Sequence, residues 1–383
     1  MESQYFHGVL DTITPNSIDL TSTIEVSREP SFMDKLPPGS PAFNFGRKTY
    51  ASTSGLLREI LDISAGTPNI ECSYWIARDK RCQYRIKNHS KCHIFDGDAG
   101  GRVIAGGSNV VPRAGSLDTD FIVEGSIAQA YQQTFNDLWN AMKPFSSSIA
   151  TLEVAEEKKD CDRTFEDCAV QSAFSANDHV MPSSKVLFLP SRPSSSGDDV
   201  ILRKVLGCIN AAKQSIVMCM GHCNIPLQFT VALKAATERG VKVSVLSNSL
   251  YSCDLRTGQK DLFESLRQML TIAPKVDLFV TDLKDGRKPP FLHSKYVVVD
   301  GNWSAMGSWN LWTRSSFYEM EANIFVFSES LAAELTSKFE QEKDAYTVQV
   351  HTAADCEAYL PTGFNDNEKC FVCKNFGPFF EQN

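Results

Sequence analysis

From Lys185 onward, apolar positions recur in two alternating rhythms, one of strands and one of helices. Val186 to Leu189 reads as a strand, and Asp198 to Lys213 as a helix with Ile201, Val205 and Ile209 turned inward. Ser215 to Met220 is a second strand, and Pro226 to Arg239 a helix closed by Gly240. Strand Val241 to Leu246, helix Lys260 to Leu270 and strand Val276 to Val280 continue the series. Strand Glu319 to Phe327 and helix Glu329 to Tyr346 close it. Strands alternating with helices predict an α/β architecture in which helices cover both faces of a sheet.

The earlier part of the chain repeats this plan in shorter form. A helix is predicted from Ser54 to Ile63, with Leu56, Leu57, Ile60 and Leu61 on one face, then a strand from Ile70 to Ile76. Further on, Asp118 to Val123 is strand-like. Ser126 caps a helix through about Met142, with Ile127, Ala130, Tyr131, Phe135 and Trp139 as its inner stripe. Residues 1–50 are polar and rich in Ser, Thr and Pro, and read as an arm. Residues 145–184 carry a charge run, EVAEEKKDCDRTFED, and read as a linker. The organisation expected is therefore an arm, a shortened first lobe over 51–144, the linker, a second lobe over 185–348, and a tail over 349–383. Either the first half-sheet is reduced or the sequence is a truncated form.

Each lobe contains the same strand-turn-strand chemistry. In the second, His293 and Lys295 point the same way from one strand. Tyr296-Val297-Val298-Val299 continues it as a buried run, and Asp300-Gly301-Asn302 forms the turn. The return strand, Ser304 to Ser308, brings Ser308 and Asn310 level with His293. In the first lobe His89-Ser90-Lys91 is followed by Asp96 and by Gly106-Gly107-Ser108-Asn109. Histidine to final asparagine is 17 residues in the second copy and 20 in the first, with the excess in the Gly97–Gly101 turn. A lone His-x-Lys is weak, but two copies of a six-point pattern mark an internal duplication. Histidine, lysine and polar donors converging on one spot describe a phosphate site.

Composition narrows the partners. The chain has 383 residues, room for two domains and a substantial core, and a net charge of −8. That balance argues against a nucleic-acid footprint over the surface as a whole. No apolar run reaches membrane-spanning length, and the start, MESQYFHGVLDTITPNS, has no basic head or apolar stretch of a secretory signal. Twelve cysteines in a chain of this size read as thiols in a reducing compartment rather than a disulfide framework. The expected location is cytoplasmic, or peripheral on an intracellular membrane.

The chain resembles the phospholipase D superfamily. The resemblance rests on His89-x-Lys91-x4-Asp96 with Gly106-Gly107-x-Asn109, and on His293-x-Lys295-x4-Asp300 with Gly307-Ser308-x-Asn310. The stretches NLWTRSSFYEMEANI and DTDFIVEGSIAQAYQQTFNDLW look most like bacterial-type cardiolipin synthases and related phosphatidyltransferases. The resemblance covers roughly residues 54–346. It implies two α/β sandwich lobes related by a pseudo-twofold axis, with the active site at their interface. It also implies hydrolysis or transfer at the phosphodiester of a phospholipid, at a membrane surface, through a phosphohistidine. A nuclease of the same type, acting on nucleic acid, is the alternative.

The residue types suit that chemistry without a cofactor or metal. Cleaving a phosphodiester through a covalent intermediate takes a nucleophile, a proton donor and cations on the non-bridging oxygens. By resemblance His89 is the nucleophile and His293 the acid, then base. Lys91 and Lys295 neutralise the phosphoryl oxygens, and Asn109, Ser308 and Asn310 add donors. Asp96 and Asp300 belong to the motif, but strand parity turns them from the histidines and towards turn backbone. Glu321, 28 residues after His293, and Asp120, 31 after His89, are expected to orient the two rings. The three-residue excess matches the hairpin insertion. Two weaker features are Cys370-x-x-Cys373, read as plain thiols rather than zinc ligands with Cys356 and His351, and an aromatic tail expected to dock on the core.

Overall fold

The computed structural model describes residues 77–78, 85–95, 100–108, 116–142, 186–191, 199–223, 225–249, 260–282, 289–312, 315–316 and 319–359. The arm, the 54–63 helix, the 70–76 strand, the linker at 145–184, Asp96, Asn109, Cys370 and Cys373 lie outside them.

In chain order the first half contributes β1 (Ala77–Arg78), β2 (Arg85–Asn88), β3 (Cys92–Phe95), β4 (Arg102–Gly106), β5 (Ser116–Leu117), β6 (Asp120–Glu124) and helix α1 (Ser126–Met142). The second begins with β7 (Val186–Ser191), α2 (Val200–Ala211), β8 (Ser215–Met220), α3 (Leu227–Glu238), β9 (Lys242–Ser247), α4 (Lys260–Ile272) and β10 (Asp277–Thr281). Then follow β11 (Phe291–Leu292), β12 (Lys295–Val299), β13 (Trp303–Gly307), β14 (Glu319–Phe327), α5 (Glu329–Tyr346) and β15 (Thr347–Val350). The architecture is mixed α/β.

The main sheet runs β1-β2-β14-β13-β12-β8-β9-β10-β15, with β7 also paired to β14. Parallel neighbours β8, β9 and β10 are joined by α3 and α4, as crossover connections require. The motif hairpin β12–β13 pairs antiparallel, Val299 opposite Trp303, around a turn in which Asp300 takes φ +53° and Gly301 φ +66°. Every residue of β12 is buried, the pattern of a strand covered on both faces. One apolar layer packs α2, α3 and α4 through Ile201, Phe229 and Leu266 against Val243, Val297 and Phe325. On the opposite face α5, through Leu335 and Phe339, meets Tyr296, Val298 and Ile324, and the first half joins this layer through Val103, Ala128 and Tyr131.

Two parallel pairings stitch the halves together, and they are reciprocal. β2, just before His89, pairs with the start of β14, Asn88 opposite Met320. β11, just before His293, pairs with β5, Leu292 opposite Leu117. Each motif histidine then donates its backbone N–H across the seam, His89 to Met320 O at 2.8 Å and His293 to Leu117 O at 2.7 Å. The residues that follow the two acceptors are Glu321 and Asp118. Backbone pairing alone therefore sets each half's histidine beside the other half's carboxylate.

Candidate active site

The strand expected over 118–123 is broken. β5 ends at Leu117 and β6 starts at Asp120, so Asp118 and Thr119 leave the ladder between them. Asp118 turns its carboxylate to the second lobe, and its Oδ2 lies 2.7 Å from His293 Nδ1. Its Oδ1 accepts from Thr119 N at 2.9 Å. Thr119 Oγ1 donates to Ser294 Oγ at 3.0 Å and tightens the same seam. Two glycines permit this approach. A Cβ on Gly107 would stand 2.1 Å from Asp118 Oδ1, and one on Gly221 2.3 Å from Leu292 O. Asn248 fixes the other side, with Nδ2 donating to Gly221 O and Leu292 O and Oδ1 accepting from Leu292 N.

The first-lobe ring is held by the second lobe. His89 Nδ1 lies 3.0 Å from Glu321 Oε2 and 3.1 Å from Oε1. Ser308 Oγ donates to Glu321 Oε2 at 2.5 Å and Ser315 Oγ to Oε1 at 2.6 Å. In both rings it is Nδ1 that meets the carboxylate, which fixes a hydrogen on that nitrogen.

The expected pairing of carboxylates with rings is thus corrected. Glu321 meets His89, not His293, and the partner of His293 is Asp118, not Asp120. Asp120 instead accepts from Ser108 N through Oδ1 at 3.0 Å, as Asn323 accepts from Trp309 N at 3.1 Å. Gly106 is opposite Asp120 and Gly307 opposite Asn323, so these two are the equivalent positions. The three-residue excess of the first hairpin is followed by a shortfall of two, 12 residues from Gly106 to Asp118 against 14 from Gly307 to Glu321. Equal excess was a coincidence of one position too many on the strand face. Ser308 also differs from expectation, because its hydroxyl hydrogen is committed to Glu321 while Ala322 N donates to its oxygen.

The lysines behave alike. Lys91 Nζ donates to His89 O and Lys295 Nζ to His293 O, each at 2.5 Å, so each ammonium curls under its own histidine. Both are buried, Lys91 at 6% exposure and Lys295 at 1%. Burial pushes Lys295 down, against the pull of Asp118 and Glu321. Asn310 is buried with both amide atoms lacking a hydrogen-bond partner, the state of a group waiting for a ligand. Asp300 lies at the far end of the strand, accepting from Lys213 N, Gln214 N and Ser215 N.

The electrostatics follow from this burial. Burial alone would raise the Asp118 carboxyl, but His293 and Lys295 outweigh it and hold it at about 2. The His293 ring is pushed down to about 4, first by burial and then by Lys295 and Lys91, against Asp118. It is neutral at ordinary pH. Burial and the neighbouring Glu319 drive Glu321 well up, opposed by Lys91 and the two serines.

Several supporting residues carried no motif. His222 is buried, stacks on Trp312 with ring centres 5.1 Å apart and meets His293 edge-on at 6.0 Å. Asp199 caps α2 through Ile201 N and Leu202 N, and its other oxygen takes Trp309 Nε1 and Ser316 Oγ. An acidic residue just before an apolar-periodic helix was a readable cap, but its grip on Trp309 was not. His89, Glu319 and Glu321 place ligand atoms within 4.8 Å of one another, a spacing that would suit a cation. Both Glu321 oxygens are engaged by His89 Nδ1 and the serine hydroxyls, so Glu321 and the ring read as a histidine–carboxylate unit.

Residues 205–343 match the family described as cardiolipin synthase, PLD-like domain. This stretch holds the second motif. Over that stretch the chain is similar to the phospholipase D-like domain of cardiolipin synthases. A cardiolipin synthase of Geobacillus thermodenitrificans (strain NG80-2) is 26% identical over 141 residues, 37% of this chain. The match spans 26% of that protein's length. Among solved structures, phosphatidylserine synthase of Haemophilus influenzae Rd KW20 superposes with a TM-score of 0.62 at 12% identity, covering 86% of each chain. That likeness is one of fold alone, and it takes in both halves of the chain. No helix among the described residues is long and apolar enough to cross a membrane.

Proposed function

We propose that the protein hydrolyses or exchanges the phosphodiester of a phospholipid at a membrane surface, through a phosphohistidine on His89. The observation that supports this is the crossed arrangement at the seam. Two rings, each with Nδ1 on a carboxylate of the other half, stand with two buried lysines and an unsatisfied Asn310 amide. His89 Nε2 attacks phosphorus as the bond to the leaving oxygen breaks, and His293 Nε2–H delivers the proton that oxygen needs. In the second step His293 takes a proton from water or an acceptor alcohol. The new P–O bond then forms as the P–N bond breaks. Lys91 and Lys295, with Asn310 and Asn109, offset charge on the phosphoryl oxygens throughout.

His293 is neutral in the free protein, so its role as acid requires a proton to arrive with the substrate. A phosphodiester anion beside Lys91 and Lys295 offsets the positive charge that lowers the ring, and its basicity rises. Binding an inert phosphate analogue at pH 7 is therefore expected to take up a proton, measurable by calorimetry in buffers of different ionisation enthalpy. No uptake would give His293 the neutral ring of a nucleophile and reverse the roles. For substrate, labelled phosphatidylglycerol, phosphatidylcholine and single-stranded DNA are incubated with the protein in parallel. Turnover of lipid is expected, and turnover of DNA alone would replace the lipid reading by the nuclease one. The cardiolipin synthase likeness, the net charge of −8 and the sequence around the motifs support lipid.

A further inference from the structure

The N-terminal end of α2 lies outside both motifs, yet it grips the segment between β13 and β14 at two points. Asp199 is 2% exposed and caps the helix, its Oδ1 accepting from Ile201 N at 2.8 Å and Leu202 N at 3.1 Å. Its Oδ2 accepts from Trp309 Nε1 at 2.7 Å and from Ser316 Oγ at 2.9 Å. Backbone and indole N–H groups can only donate, so the carboxylate is the acceptor in at least three of these contacts. Burial pushes the Asp199 carboxyl up, and its donors oppose that rise. The helix end is itself fixed, with Ile201, Leu202 and Val205 buried in the main apolar layer.

The two residues that Asp199 grips each follow a serine that holds Glu321. Ser308 precedes Trp309, and its hydroxyl donates to Glu321 Oε2. Ser315 precedes Ser316, and its hydroxyl donates to Glu321 Oε1. Trp309 is the largest fully buried side chain, and its backbone N–H donates to Asn323 Oδ1 at 3.1 Å. The residue is therefore held both at its backbone and at its ring nitrogen, which leaves Ser308 little freedom. Ser315 ties the segment together from the other side, its Oγ accepting from Asn310 N at 3.4 Å. One buried carboxylate thus fixes both places from which hydroxyls reach a second, and Glu321 meets His89 Nδ1 at 3.0 Å.

We propose that Asp199 is a positioning residue for His89, acting through Trp309 and Ser316 on the two serines that orient Glu321. The placement of the ring is then set from the end of α2, beyond the carboxylate that the ring touches. Reacting groups tolerate little displacement, and about 1 Å of misplacement caused far from the chemistry can cost on the order of 10²-fold. The weight of His89 in turnover rests on the phosphodiester reading, but the link from Asp199 to the ring does not.

The test follows the Nδ1–H resonances of His89 and His293, assigned by substitution, in the substrate-free protein, beside kcat on phospholipid. Trp309→Phe removes the indole hydrogen and leaves both helix contacts of Asp199 in place. Asp199→Asn keeps a good capping residue but offers one oxygen where the carboxylate offered two. Ser316→Ala alters no aromatic ring, so a movement of the His89 resonance there is not a ring-current effect. In each variant that folds, the His89 resonance is expected to move and that of His293 to stay. The kcat is expected to fall on the order of tenfold in Trp309→Phe and Asp199→Asn, and less in Ser316→Ala. Val205→Ala is the control, a cavity on the same helix outside the Asp199 contacts. It is expected to lower the melting temperature and to move neither resonance. An unmoved His89 resonance in the folded variants, or an equal movement in Val205→Ala, would make Asp199 a helix cap alone and overturn the proposal. A moved resonance with wild-type kcat would overturn it too. Absence of turnover in the wild type would sink the phosphodiester reading only, because the resonances need no substrate.

Discussion

His293 and His89 occupy matching places in the two halves, but their surroundings are unequal. The His293 side chain is 6% exposed and faces one carboxylate, held ionised at about 2. The His89 side chain is 12% exposed and faces two, inside a cage of serine and tryptophan donors. Each ring takes a carboxylate from the opposite half, while local sequence decides how much charge it meets. The two parallel pairings set the geometry. The flanking residues set the charge that each ring meets.

The largest expected effect breaks the ring–carboxylate pairs. Asp118→Asn is expected to lower turnover about 10²–10³-fold, on the order of 3–4 kcal/mol of barrier, because tautomer control and imidazolium stabilisation are lost together. Asp120→Asn, two residues away, is expected to leave turnover near wild type, since Asn323 already does the equivalent work with an amide. Steady-state kinetics on the two proteins checks this directly. A loss in Asp120→Asn equal to that in Asp118→Asn would show that Ser108 is not the partner that matters.

The next effect sharpens the contrast between the rings through pH. The folded His293 ring titrates near 4, below its unfolded value. The unfolded chain therefore binds more protons between about pH 6.5 and 4, and stability falls as pH drops through that window. His293→Asn is expected to recover roughly 2–3 kcal/mol at pH 4 relative to pH 7, compared with wild type, by urea unfolding at both pH values. Asp118 acts in the same direction in a lower window, its stabilisation being lost only as pH falls from 3.8 towards 2. The two windows are separable.

Much of this was readable in the chain. Period and caps placed the second-lobe elements within a residue or two: the helix expected over 198–213 spans Val200–Ala211, and the hairpin returns at Trp303–Gly307. Parity placed Asp300 away from the rings, because a strand alternates faces whatever its partner. The carboxylates were misassigned for a different reason. In a duplicated chain, counting along one half says nothing about which half's strand lies beside a given histidine. That choice is made by the parallel pairings β2–β14 and β11–β5, which join residues hundreds apart. Two compensating length changes then made Asp120 look equivalent to Glu321. His222, Asn248 and Trp312 were illegible because they act through packing and backbone contacts that leave no spacing rule.

The smallest expected effect is at the turn. Asp300→Ala is expected to cost about 1–3 kcal/mol of stability with little change in turnover, since three backbone N–H groups lose their acceptor and a β-carbon without a polar group disfavours φ +53°. Thermal unfolding beside an activity assay separates the two quantities. Asp300→Asn is expected to fall between wild type and Ala, keeping the left-handed turn but losing the charge on the acceptor.

The central claim is that each half orients the other half's histidine, and nitrogen-15 histidine NMR of the free protein reads it most directly. Ring Nδ1–H resonances of His89 and His293 are assigned by substitution and followed in Asp118→Asn, Asp120→Asn and Glu321→Gln. The crossed arrangement predicts that Asp118→Asn moves the His293 resonance alone, Glu321→Gln moves that of His89 alone, and Asp120→Asn moves neither. A His293 resonance that responds to Glu321→Gln, with His89 responding to Asp120→Asn, would contradict it and return each ring to a carboxylate of its own half.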